Sequence, residues 1–360
     1  MRYDVDADIR SAATLPAAFY RDAEAYADVR ERVFARTWQW LGPLAALGAP
    51  NSLAPVDLLP GLVDEPLLLA RDGDGTLRCL SNVCTHRANL LVRAPCRADH
   101  IRCGYHARRF DLAGRMTHMP GFAGARDFPS ARDDLPQVPL ATWQDHAFAA
   151  LAPAMPFADV LAGWAERIAW LPVSSWRHDP ARDRDFTIDA HWALYVENYL
   201  EGLHIPHVHA SLHAAIEPLT YTTDLCRYAS VQWAAARPGT AALAPPPGAP
   251  DHGRALAAYY VWVFPNLMLN VYPWGLSVNL VLPQGPSRTR VLFCSFVGDA
   301  QRLDDGAGSG LDRVEAEDEA VVEAVQRGVR ARLYRGGRYA PQGERGVHHF
   351  HRLLGEFLRD

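Results

Sequence analysis

The chain has 360 residues, 49% of them apolar, enough to bury a core in each of two domains. Its formal charge of −5 and its lack of a basic block exclude a polyanionic partner, whether nucleic acid or anionic membrane. Its first thirty residues hold no apolar run of signal-peptide length, and the most apolar stretch, Val261 to Trp274, is interrupted by Pro265, Asn266, Asn270 and Pro273, short of the roughly 20 residues a membrane helix needs. The expected location is therefore cytoplasmic.

Taken in chain order, Pro16 to Trp38 mixes apolar and charged residues at helical spacing and reads as a lead-in helix, which sets off residues 1–37. From residue 38 to 156 the texture changes to short β-type runs. LLLA, RDGDG and TLRCL form one hairpin pattern and FDLAGRM suggests another. The Pro- and Ala-rich bridge from Leu151 to Trp164 marks a boundary, and residues 157–360 form the second domain. There, Asp189 to His209 looks helical until Pro206, which is expected to break the helix. Four strand-like runs follow (AYYVWVF, LMLNVY, LSVNLVL and TRVLFCSFV), and two helices close the chain, starting at Asp312 and Gly346. Grouped strands with helices at either end indicate an α+β fold. Ala242 to Gly253 and Asp299 to Gly310 read as surface loops, and His348, His349 and His351 as surface or subunit-contact residues of the last helix.

Of six cysteines, Cys79, Cys96, Cys226 and Cys294 read as small buried apolar residues. Cys84 and Cys103 differ because each lies beside a histidine, in CTHRANLL and CGYH. Two Cys-His pairs, Cys84 with His86 and Cys103 with His106, lie within 23 positions on loops of the β-rich domain. Zinc accepts two sulfurs and two nitrogens, but its sites more often open with two cysteines and close with two histidines. A mixed pair on each loop fits better a Rieske-type [2Fe-2S] centre, in which histidines replace two of the cysteines.

A second constellation lies in ENYLEGLHIPHVH, with Glu201, His204, His207 and His209 as candidates for a mononuclear site of two histidines and a carboxylate. Spacing leaves the second histidine open between His207 and His209. For the carboxylate, a helix of about 100° per residue puts Val314, Val321 and Val325 on one buried stripe, with Asp318 near its centre and Glu315, Glu319 and Glu323 on the wetter side. A carboxylate on an apolar face is costly unless it is paired or bound to metal, which singles out Asp318.

The first motif resembles the N-terminal domain of Rieske non-haem iron oxygenases. That resemblance implies that Cys84 and Cys103 bind one iron of the [2Fe-2S] cluster, and His86 and His106 the other. Two positions depart from the family pattern: Ala88 stands where glycine commonly follows CTHR, and Ala107-Arg108 where Gly-Trp commonly follows the last histidine. Over the whole chain the likeness is to the large (alpha) subunits, whose N-x-x-(D/E)-x-x-H-x(4)-H segment is matched by Asn198, Glu201, His204 and His209. It selects His209 over His207 and makes Asp318 the third ligand of mononuclear Fe(II). It further implies a helix-grip, START-like catalytic domain, and a Glu201 that bridges His204 to His106 of the partner subunit, hence a homotrimer. Electrons would come from a separate NAD(P)H-dependent flavin/iron-sulfur reductase.

Within the family, Phe264 to Trp274, LVLPQGPSR, and the C-terminal stretches from Val325 and Val347 are similar to choline monooxygenase-like proteins. Tyr259, Tyr260, Trp262, Tyr272 and Trp274 are candidate aromatic faces for a quaternary ammonium, with Tyr272 and Trp274 retained as substrate contacts. The expected activity is that of a terminal oxygenase that uses O2 to hydroxylate or oxidatively N-demethylate a small polar molecule such as a quaternary amine. The alternatives are an aromatic ring-hydroxylating dioxygenase and a Rieske electron carrier whose second domain only binds.

Overall fold

The structure is a computed structural model that describes residues 3–359. It divides into two compact units: residues 35–154 form one, and the segment up to residue 34 joins everything from 155 onward in the other. The lead-in helix starts later than its sequence suggests. Asp22 caps α1 (Ala23–Asp28) by accepting from the Glu24 amide at 2.9 Å, and a π-helical turn over Val29–Val33 continues it. Ala25, Val29 and Val33 form its buried stripe.

In the unit of residues 35–154, β1 (Ser52–Leu58), β2 (Glu65–Arg71) and β3 (Leu77–Ser81) run antiparallel in order, and Asp72 builds the β2–β3 turn by accepting from the amides of Asp74 and Thr76. A second small sheet is made of β4 (Ile101–Arg102), β5 (Arg109–Phe110) and β6 (Met116–His118). One Cys-His loop leaves β3 and the other joins β4 to β5. Cys84 and Cys103 belong to the apolar cluster of Leu53, Leu68, Leu80, Ile101 and Phe110, so the thiols are rooted in the core. Cys96 is exposed, contrary to its reading as a buried residue.

In the other unit, α2 (Trp192–Tyr199) ends before the expected break. The chain turns at 200–203, and α3 (Ile205–Val208) starts afresh with Pro206 in its first turn, where a missing amide hydrogen costs nothing. The bend therefore comes from the region of Gly202, not from Pro206. A Cβ on Gly202 would lie 2.6 Å from the ring of Tyr221, so only glycine lets the two segments approach.

Strands β7 (Ala229–Ala235), β8 (Leu256–Val263), β9 (Leu267–Tyr272), β10 (Gly275–Gly285) and β11 (Arg288–Val297) pair antiparallel in chain order, as the sequence pattern predicts. Short edge strands complete an eight-stranded sheet among the described residues. Two helices close the fold, α4 (Leu311–Gly328) and α5 (Arg345–Leu358). On α4 the expected stripe is wrong: Glu315, Val322 and Gln326 are its buried residues, and Val325 is 43% exposed. On α5, His348 and His351 are buried, not superficial: His351 takes the Tyr339 hydroxyl at 2.7 Å and meets Glu197 at 3.0 Å. The two expected surface loops are also partly internal. Asp251 is buried against Arg167, and Ala307 and Gly308 pack inward, where a Cβ on Gly308 would sit 2.3 Å from Trp274.

Candidate functional site

The two Cys-His loops present a graded set of donors. The cysteines are buried, His86 is half-buried and His106 is exposed, with the two imidazole centroids 4.8 Å apart. The Tyr105 amide lies 3.5 Å and the Asn89 side-chain amide 3.7 Å from Cys103 Sγ, the arrangement that stabilises a thiolate. Two sulfurs, one of them backed by amide donors, and two neighbouring imidazoles fit a Rieske cluster.

The two departures from the family pattern have a physical content. Ala88 and Ala107 both hold the left-handed conformation, φ 52° and 61°, at the positions where glycine is common. Arg108, in place of tryptophan, is buried. Its guanidinium donates to Thr85 Oγ1 at 2.7 Å, lies 3.4 Å from Asp133 Oδ1 and sits 5.6 Å from the ring centres of both Phe122 and Phe128. A single cation therefore ties the first ligand loop to the residue that closes the second.

In the other unit, His204, His209 and Asp318 converge, with their candidate ligand atoms all within 4.8 Å of one another. Asp318 Oδ1 lies 3.0 Å from His209 Nε2 and 3.7 Å from His204 Nε2. The opposite ring nitrogens are held by carboxylates: His204 Nδ1 by Glu201 at 2.5 Å and His209 Nδ1 by Glu317 at 2.7 Å. Such outer partners fix which nitrogen faces inward, as metal-binding histidines require. The Asn198 amide donates to Asp318 Oδ1 at 2.6 Å. Burial lowers the pKa of His209, but hydrogen bonds and charge from Asp318 and Glu317 outweigh it and the net direction is upward. Two imidazoles and one carboxylate on one side of a point fit a mononuclear iron site. His207 is exposed and lies outside this group.

These residues border a cavity of about 100 Å³ lined by Tyr195, Tyr199, Tyr221, Tyr260, Tyr272 and the carboxylate of Glu315, among others. Strand alternation puts Tyr260, Asn270, Tyr272 and Asn279 on the cavity face and sends Tyr259 to the opposite face, where it donates to Asp251. Trp274 does not reach this cavity. Its buried indole stacks on Tyr272, 5.4 Å away, and donates to the Gly308 carbonyl at 3.1 Å. Glu315, Glu317, Tyr195, Tyr199 and Tyr221 escaped the sequence reading. Tyr195 lies one helical turn before Asn198, the single local signal that pointed to it.

Comparison with known proteins agrees with both halves of this description. The family model described as "Ring hydroxylating alpha subunit (catalytic domain)" matches residues 168–360, and "Rieske [2Fe-2S] domain" matches residues 45–132. The chain is similar to "Choline monooxygenase, chloroplastic" of Arabidopsis thaliana, 29% identical over 374 residues that cover 99% of this chain and 86% of the relative. It is also similar to "Carnitine monooxygenase oxygenase subunit" of Escherichia coli (strain K12), 28% identical and covering 98% of this chain and 96% of the relative. Among solved structures, the quaternary ammonium Rieske monooxygenase CntA in complex with L-carnitine superposes with a TM-score of 0.80 at 22% identity, covering 100% of this chain and 99% of that one. Naphthalene 1,2-dioxygenase with bound indole superposes with a TM-score of 0.75 at 17% identity, covering 99% and 95%. At these identities the structural likenesses establish the fold alone.

Proposed function

The chain belongs to the ring-hydroxylating alpha subunits, and from that premise we propose that it is the terminal oxygenase of a multicomponent system acting on a quaternary amine. It is a Rieske oxygenase with a [2Fe-2S] cluster and a mononuclear iron. We assign the cluster to Cys84, His86, Cys103 and His106, and the mononuclear iron to His204, His209 and Asp318. When bound, the two centres supply electron delivery and O2 activation beside the substrate.

The observation that carries the substrate class is the lining of the cavity. Tyrosine faces attract a quaternary ammonium through their ring quadrupoles, and the carboxylates beside them disfavour a neutral hydrocarbon. Glu201 fixes the His204 ring from one side while Asn198 and Glu317 fix Asp318 and His209, so the three inward atoms keep their positions as substrate enters. In this reading Glu201, half-buried, also reaches His106 of the partner subunit, which requires a homotrimer, and a separate NAD(P)H-dependent reductase feeds the cluster. The described cysteines are all free, in keeping with a reducing cytoplasm, and no helix among the described residues is long and apolar enough to cross a membrane.

The test is iron analysis with coupled turnover. Purified protein is expected to hold about three irons per chain, two in the cluster and one outside it. The reduced protein, exposed to O2 with a panel of quaternary amines and aromatic acids, is expected to yield oxidised amine. Coupled product from the aromatic acids alone would establish the dioxygenase alternative, and about two irons per chain with no product would establish the electron carrier. Glu201→Gln is expected to slow cluster-to-iron electron transfer while leaving the iron content intact.

A further inference from the structure

Glu315 is buried at 5% exposure beneath the cavity, one helical turn before Asp318. Both of its oxygens accept from one group, the Tyr195 hydroxyl, at 3.0 and 2.8 Å. A carboxylate withdrawn from water against a single hydroxyl is costly, so burial pushes its pKa up to about 8 and holds it largely as the acid in the empty cavity, while a cation docked beside it favours the ionised form. Nothing in the proposed metal set uses this residue. It does, however, line the same cavity as the five tyrosines, and among the described residues lining that cavity none is a lysine or arginine.

Resting on the reading that the cavity takes a quaternary amine, we infer that its substrate is a cation without a carboxylate, a quaternary ammonium alcohol or simple alkylammonium, and that Glu315 is its counter-charge. A quaternary amine that carries its own carboxylate would bring a further negative charge into a space already bordered by Glu201, Glu315 and Asp318, with no lysine or arginine to receive it. A divalent iron offsets only two of the three carboxylates Glu201, Glu317 and Asp318, so the site keeps a negative charge even before Glu315 ionises and selects for a cation. Asn270 and Asn279 offer amides that satisfy a hydroxyl and leave a carboxylate uncompensated. Desolvating an unpaired carboxylate costs more than the aromatic faces return, so the missing cationic partner decides the ranking.

The experiment is anaerobic titration calorimetry of the iron-loaded protein with choline, L-carnitine and 3,3-dimethylbutan-1-ol, the uncharged shape analogue of choline. Choline is expected to bind at least ten-fold more tightly than either of the others. In Glu315→Gln, with iron content unchanged, choline and its uncharged analogue are expected to bind nearly alike. Tyr195→Phe, which removes the only hydroxyl on Glu315, is expected to retain the preference for the cation. L-Carnitine binding as tightly as choline would overturn the inference and leave the quaternary-amine function standing. So would an undiminished preference for choline over its uncharged analogue in Glu315→Gln. If neither amine binds and an aromatic acid does, the proposed function itself falls. The comparison of the three ligands in the unaltered protein decides the charge question even where a variant fails to fold.

Discussion

The two candidate metal centres are built by opposite strategies. In the unit of residues 35–154 the donors lie within 23 positions on two loops, with thiols in the core and imidazoles facing outward. In the other unit, His209 and Asp318 are 109 residues apart and come from the end of α3 and from α4, and His209 is 1% exposed. The difference matches what each centre must admit. Electrons pass through an exposed ligand edge, whereas a substrate that reacts with O2 needs an enclosed cavity. One site is therefore local and superficial, the other assembled at long range and sheltered.

The contrast predicts separable losses. Asp318→Ala should lower the iron content from about three to about two per chain and reduce coupled turnover roughly 1,000-fold or more, with the visible spectrum of the cluster unchanged. Cys103→Ser should erase that spectrum and leave mononuclear iron in place. If either substitution emptied both sites, the centres would not be independent. Next in size, Arg108→Ala leaves Asp133 buried without its cation, and thermal unfolding of residues 35–154 should show a loss of about 3 kcal/mol.

Acid should also distinguish the units. Burial lowers the pKa of His191 to about 3, and that of His146, in the loop-ligand unit, to about 4. The unfolded chain takes up protons below its ordinary histidine pKa of about 6.5, which the folded state refuses, so stability is complete above that value and falls as pH drops. Each histidine should remove about 3 kcal/mol by pH 4, and below that only His191 continues to contribute. The slope should flatten in His191→Gln. The smallest effect is expected at the left-handed alanines: Ala107→Gly should stabilise its unit by up to about 1 kcal/mol, read as a rise in Tm.

Legibility followed the same division. CTHRANLL and CGYH could be read because loop ligands are close in sequence and need only a turn between them. The strand meander was also legible, from apolar runs broken by turn signals, but runs buried on both faces hide which residues share a side, and Tyr259 was grouped with Tyr260 and Tyr272 although it faces away from the cavity. The face of α4 was not. Apolar periodicity marks a helix face that meets other apolar groups, but α4 meets a polar cavity and Tyr195, so Glu315 is buried and Val325 is exposed. Asp318 was singled out by a stripe that the structure does not contain, yet it lies beside His209. Pro206 misled for a related reason: its cost depends on whether it stands inside a helix or at its start, and the chain had already turned at Gly202. Tyr199 and Tyr221 come from a helix and an edge segment that meet only once the sheet has curved around them.

The unit of residues 35–154 begins and ends on adjacent backbone. The Ala152 amide donates to the Ala35 carbonyl at 3.1 Å, and the Ala154 amide to the Arg36 carbonyl at 2.9 Å. Entry and exit are thus a pair of hydrogen-bonded neighbours, the geometry that makes a domain transplantable. Cut at these two points, residues 35–154 leave as a segment whose ends lie side by side, so the surrounding chain has one short gap to close whatever length of chain is removed.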